Sequence, residues 1–208
     1  MSLPSRPSCL NNRAELKQTD KPTLVIFSGL PGTGKSTLAD RLARELCWPL
    51  LRIDDVAGKA PPQADYHFWD EKVLVLLTIA EEQLKLGVSV IADSVFMGAD
   101  RLHAQEIAQK NAAIFRPVYC FVSDEAIWEK RVNERVDTPG NPEVATWERI
   151  QHQRQWFAAW QPGTGLFVDG IEPVEENYLK VLEFVSSSTV SLEPIQVDVP
   201  LIKGRYHQ

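Results

Sequence analysis

Apolar residues recur along the chain in two alternating patterns, short unbroken runs and longer stretches at helical spacing. The runs predict strands at Leu24–Ser28, Leu50–Ile53, Val88–Ala92, Ile114–Val122 and Leu166–Val168. Between the first two, Leu38, Leu42 and Leu46 share one helical face, and Pro49 stops that helix. Trp69, Val73, Leu76, Leu77, Ala80 and Leu84 form a second helical stripe, stopped by Gly87. Further helices are expected over about 100–110, from a Ser123 or Asp124 cap to about Val136, over Glu143–Trp160 and over Glu172–Val185. Strands alternating with helices imply βαβ units. The fold class expected is therefore three-layer α/β/α, with a mainly parallel five-stranded sheet.

The ends of the chain do not share this pattern. Residues 1–22 are polar, carry Pro4 and Pro7, lack the apolar core of a secretory signal, and are expected to form a flexible arm. One domain should span 23–186, bounded by the Ser186-Ser187-Ser188 run, with a tail over 187–208. In that tail Ile195, Val197 and Val199 alternate, as an edge strand or a surface-packed segment would. With 208 residues, 44% of them hydrophobic, the chain can bury one substantial core. A formal net charge of −6 argues against a protein that coats nucleic acid. The best apolar run, Val73–Leu77, is far too short to cross a membrane. Cys9, Cys47 and Cys120, odd in number and widely spaced, suit reduced thiols, with Cys47 and Cys120 packed in the core. His67, His103, His152 and His207 show no metal-ligand spacing. A cytoplasmic location is the expectation.

The candidate chemistry begins at Gly29-Leu30-Pro31-Gly32-Thr33-Gly34-Lys35-Ser36-Thr37, between the first strand and first helix. Two glycines five apart, followed by Lys and Ser, fit a loop whose backbone amides cradle phosphates. Lys35 can reach the β- and γ-phosphates of ATP, and the Ser36 hydroxyl is placed to ligate Mg²⁺. The following helix opens its positive end on the same phosphates.

Ligands of open parallel sheets sit at the carboxyl ends of strands, where Asp54-Asp55, Asp93 and Asp169 fall. Asp54 is placed to take an acceptor hydroxyl's proton, with Asp55 as the alternative. Asp93 suits holding Mg²⁺ through water or fixing an arginine, and Asp169 a structural turn. Arg131 and Arg135, four residues apart, share a helix face beside the breaker-rich segment Thr138–Pro142. That arrangement suits a helical lid whose arginines neutralise charge in transfer. Tyr66-His67-Phe68-Trp69 could line an acceptor pocket or pack in the core.

Together, the 29–37 loop, Arg52-Ile53-Asp54-Asp55, Ile91-Ala92-Asp93-Ser94 and Arg131–Arg135 resemble P-loop kinases of the polynucleotide kinase and zeta-toxin-like group. Chloramphenicol phosphotransferases look related in layout. The resemblance implies Asp54 as general base and Arg131 and Arg135 as lid arginines. Polynucleotide kinases carry an arginine three residues after the base, where this chain has Ala57. The expected activity is transfer of the γ-phosphoryl group of ATP to a hydroxyl of a small molecule. A polynucleotide 5′-hydroxyl kinase and a nucleotide-hydrolysing ATPase or switch are the alternatives. Against a switch GTPase, no Asn/Thr-Lys-x-Asp guanine reader occurs in the chain.

Overall fold

The computed structural model describes residues 21–57, 66–136, 146–155, 157, 160–187 and 189–195, without the side chains of 56, 57, 66–70 and 136. Strand β1 (Thr23–Ser28) lies at the centre of a parallel five-stranded sheet. After it come α1 (Lys35–Leu46), β2 (Leu50–Arg52), α2 (Ile53–Ala57), α3 (Tyr66–Lys85) and β3 (Val90–Asp93). The chain continues through α4 (Gly98–Lys110), β4 (Ile114–Phe121), α5 (Glu125–Val136), α6 (Trp147–Arg154), β5 (Leu166–Asp169) and α7 (Val174–Ser186). The strand order is β2-β3-β1-β4-β5. In register, Phe27 faces Asp93 on β3 and Val118 on β4, so the chemistry-bearing strand ends share one edge.

A strand buried on both faces needs apolar residues at successive positions. Leu24, Val25, Ile26 and Phe27 are all fully buried, each worth about 1.5–3 kcal/mol. Leu24 and Ile26 pack toward α3 and α4 with Leu76, Leu77, Ala104 and Trp160. Val25 and Phe27 pack on the opposite face against Leu38 and Leu42 of α1 and Val181 of α7. The three layers follow directly.

Three local expectations need correction. β2 ends at Arg52, and Ile53 opens the short helix α2, with Asp54 and Asp55 in its first turn. Acidic residues favour the positive end of a helix, and here that preference prevails over the apolar run. Among the described residues, the helix expected over Glu143–Trp160 is present as α6, capped by Thr146, whose hydroxyl accepts from the Arg149 N–H at 3.3 Å. Cys120 is free and buried, its thiol pushed up to about 12 by burial. Cys47, however, is exposed in a left-handed conformation at the end of α1 and is disulfide-bonded. In the tail, residues 189–195 form no strand, and the Glu193 N–H donates to the Gly163 carbonyl. Val197 and Val199 lie outside the described residues, as does the segment Thr138–Pro142.

Arg116 on β4 closes the far end of the core. Its guanidinium donates to the carbonyls of Phe184 (3.0 Å), Ser187 (2.6 Å) and Phe115 (3.1 Å), which anchors the last turn of α7. Charged hydrogen bonds to otherwise orphaned carbonyls are worth about 1.5–3 kcal/mol each in favourable settings. Arg116→Ala is therefore expected to destabilise the fold by about 2–4 kcal/mol, read by urea denaturation. An unchanged midpoint would show that water replaces these contacts at no cost.

Candidate active site

The loop between β1 and α1 is held in shape by its glycines and by contacts from beneath. Gly29 has φ +144, and a Cβ there would lie 2.2 Å from the Cys120 carbonyl oxygen of β4. Only glycine permits that approach. The Thr33 hydroxyl donates to the Leu30 carbonyl at 2.9 Å, and the Ser28 hydroxyl to the Val95 carbonyl at 2.6 Å. Gly34, in the left-handed region, caps α1 without a side-chain hydrogen bond, and no acidic residue stands in the first turn. The helix thus presents amide N–H groups and its positive end with no protein anion to satisfy them. Such a helix end suits a phosphate group.

Asp93 stands at the end of β3 beside this loop, only 3% exposed. Burial raises its carboxyl, Lys35, the Ser36 side chain and Arg52 lower it, and Asp54 raises it again; the net direction is upward. The stability contributed by its protonated form is complete below the ordinary carboxyl range and is lost as pH climbs through the raised value. Ionised Asp93 therefore costs stability. Its Oδ1 is buried and has no hydrogen-bond partner.

The structure thus brings Lys35, Ser36, Asp54 and Asp93 into one electrostatic cluster. Asp54 and Asp55 are both exposed on α2, but they differ in partners. Asp55 pairs with Arg52 at 3.6 Å, whereas Asp54 acts on Asp93.

On the other side of the loop, α5 is preceded by Asp124, whose Oδ1 accepts from the Ile127 N–H at 3.0 Å. Trp128 and Val132 are buried against the loop itself. The Trp128 indole N–H donates to the Pro31 carbonyl at 2.8 Å, and a Cβ at Gly32 would lie 2.8 Å from Val132 Cγ2. Arg131, on the adjoining face, donates through Nη1 to the Gly170 carbonyl at 2.7 Å. Arg135 lies exposed one turn further along. The base of the expected lid is therefore docked on the phosphate loop, while Arg135 faces solvent. Asp169 is structural, as expected. Burial raises its carboxyl, but the Ser123 side chain and the backbone N–H groups of Ile171 and Ser123 outweigh burial and hold it low.

Two contributors escape a reading of local pattern. Trp128 reads as helix packing, yet its partner is 97 residues earlier. Arg52 reads as a strand residue, yet its guanidinium lies among Asp40, Asp55 and Asp93. Tyr66–Trp69 begin α3, and their side chains lie outside the description.

A family model described as an AAA domain matches residues 24–160. No curated protein matches the chain. Among solved structures, a sugar kinase from Janibacter sp. aligns with TM-score 0.62 at 16% identity, over 80% of this chain and 96% of its own. The gluconokinase of Sinorhizobium meliloti aligns with TM-score 0.59 at 17% identity, over 79% and 92%. The APS kinase CysC of Mycobacterium tuberculosis, solved with AMPPNP and APS, aligns with TM-score 0.59 at 18% identity, over 80% and 99%. At these identities the likeness establishes the fold shared with P-loop kinases.

Proposed function

The chain belongs to this AAA-domain family, and from that premise we propose that it is an ATP-dependent kinase acting on a hydroxyl of a small molecule. The observation that carries the reading is the uncapped N-terminus of α1, with Lys35 and Ser36 facing buried Asp93 and with Asp54 close by. An ATPase needs the first four of these features. The carboxylate at Asp54, on the acceptor side, is the addition that suits transfer.

In this reading the loop amides and Lys35 hold the β- and γ-phosphates. Asp54 accepts the proton of the acceptor hydroxyl, because Asp55 is engaged with Arg52. Arg135 closes over the γ-phosphate, and Arg131 supports the nucleotide side through its anchor on Gly170. The orphaned, buried Asp93 Oδ1 beside Ser36 fits a magnesium ion held by Ser36 and, through water, by Asp93. When bound, Mg²⁺ neutralises charge on the β- and γ-phosphates.

A small acceptor is favoured by three features. The net charge is −6, and Ala57 stands where polynucleotide kinases carry an arginine. The solved neighbours also bear the names of sugar, gluconate and APS kinases. The reading is tested by comparing acceptors across salt concentrations with ATP and Mg²⁺. Small alcohols, sugars, nucleosides and antibiotics should include acceptors whose KM changes little with salt. An oligonucleotide loses about 0.7–0.9 log units of affinity per tenfold salt for each phosphate neutralised. Preferred transfer to oligonucleotide 5′-hydroxyls with that salt slope would instead make this a polynucleotide kinase.

A further inference from the structure

Arg52 ends β2 between three carboxylates, one each from α1, α2 and β3. It pairs with Asp40 on α1, with Asp55 on α2 at 3.6 Å, and with Asp93 on β3 at 3.9 Å. Asp40 lies on the helix that Lys35 and Ser36 begin. Asp55 neighbours Asp54 in a helix of only five residues, which cannot fix its own orientation. Asp93 is buried, with Oδ1 unpartnered and its other oxygen within reach of Arg52 Nε.

A planar guanidinium offers five N–H donors in a fixed fork, so it can address several carboxylates in set directions. Here Nη2 points at Asp40, Nη1 at Asp55 and Nε at Asp93. A different nitrogen lies toward each partner, with Asp55 and Asp93 at ion-pair rather than hydrogen-bond distance. A surface ion pair alone would be worth little. Arg52 is only partly exposed and joins three separate elements, so its value lies in geometry.

We propose that Arg52 is a positioning residue that locks α1, α2 and β3 together, fixing Asp93 against Ser36 and turning Asp54 toward the transferred phosphate. The inference rests on the kinase reading, but its first consequence concerns nucleotide binding alone. A carboxylate held by a partner is oriented for a metal's water shell, and loss of such outer partners typically costs about 10–100-fold in metal affinity or activity.

The test measures ATP affinity of the full chain with EDTA and with Mg²⁺, for wild type, Arg52→Gln, Arg52→Lys and Asp40→Asn. In Arg52→Gln the affinity in EDTA should stay within about twofold, while the gain on adding Mg²⁺ falls about tenfold. Arg52→Lys, with one compact charge and no fork, should recover only part of that gain. Asp40→Asn should lose less than Arg52→Gln, since Arg52 keeps two partners. With an acceptor, Arg52→Gln should lower kcat about 30- to 100-fold at little cost in KM for ATP. A wild-type Mg²⁺ gain in Arg52→Gln overturns the proposal. So does an equal loss of affinity with and without Mg²⁺, which a merely structural ion pair would give. Full recovery by lysine would also overturn it, because charge and not the fork would then suffice. If no acceptor is phosphorylated by the wild type, the kinase reading fails, and the Mg²⁺ arm still decides the role of Arg52.

Discussion

Lys35→Ala is expected to lower ATP-dependent transfer by about two to three orders of magnitude, the scale of losing one preorganised charge at the transition state. The side chain is the first of α1, at the end where amides already point outward, so the helix itself does not depend on it. Its charge serves a different purpose. As phosphoryl transfer proceeds, negative charge shifts toward the β–γ bridging oxygen, and an ammonium held there stabilises the transition state more than bound ATP. The loss should therefore fall mainly on kcat, with a smaller change in ATP affinity, since the loop amides remain. A steady-state comparison on purified proteins of equal thermal midpoint checks this. Turnover within threefold of wild type would remove the 29–37 loop from the chemistry.

Asp54→Asn should leave ATP binding intact and cut transfer by about 10²–10⁴-fold, the usual worth of a placed general base. The substitution keeps shape and removes the ability to take a proton, together with the negative charge that acts on Asp93. Asp55→Asn is the matched control, because Asp55 occupies the same helical turn but is engaged with Arg52. Its expected loss is less than about tenfold, acting through the orientation of α2. If Asp55→Asn is inactive and Asp54→Asn retains activity, the base moves by one residue.

These two predictions draw on parts of the molecule that were legible to different degrees. The β1–loop–α1 unit could be read from sequence because its signals are local. An apolar run, glycines where backbone must approach ligand, and a leucine stripe all lie within about two dozen residues. Asp93 was legible for a similar reason, since it ends an apolar run and parallel sheets place such ends at one edge. The start of α2 was not, because Leu50-Leu51-Arg52-Ile53 reads as a strand, whereas the acidic pair Asp54-Asp55 favours a helix that opens at Ile53. The length of α6 was misjudged, with the Thr146 cap hidden inside a continuous helical pattern.

What remained hidden depends on long-range partners. Trp128 pins α5 to Pro31 across 97 residues, and nothing near either residue announces the contact. The aromatic stack of Tyr119, Phe157 and Trp160 fills the sheet face there. Arg52 is the sharpest case. Its charge is visible, but a fork shared by three carboxylates appears only once α1, α2 and β3 meet. Helix positions 131 and 135 look equivalent in sequence, whereas the fold engages Arg131 with Gly170 and leaves Arg135 exposed.

The kinase reading is tested most directly by following ³¹P resonances of ATP, ADP, free phosphate and phosphomonoester while small hydroxyl compounds are added in turn. With the right acceptor, one phosphomonoester should form for each ADP, with little free phosphate, and Asp54→Asn should abolish that signal. ADP and free phosphate appearing in equal amounts, at a rate no hydroxyl compound or oligonucleotide changes, would contradict the account and make this an ATPase.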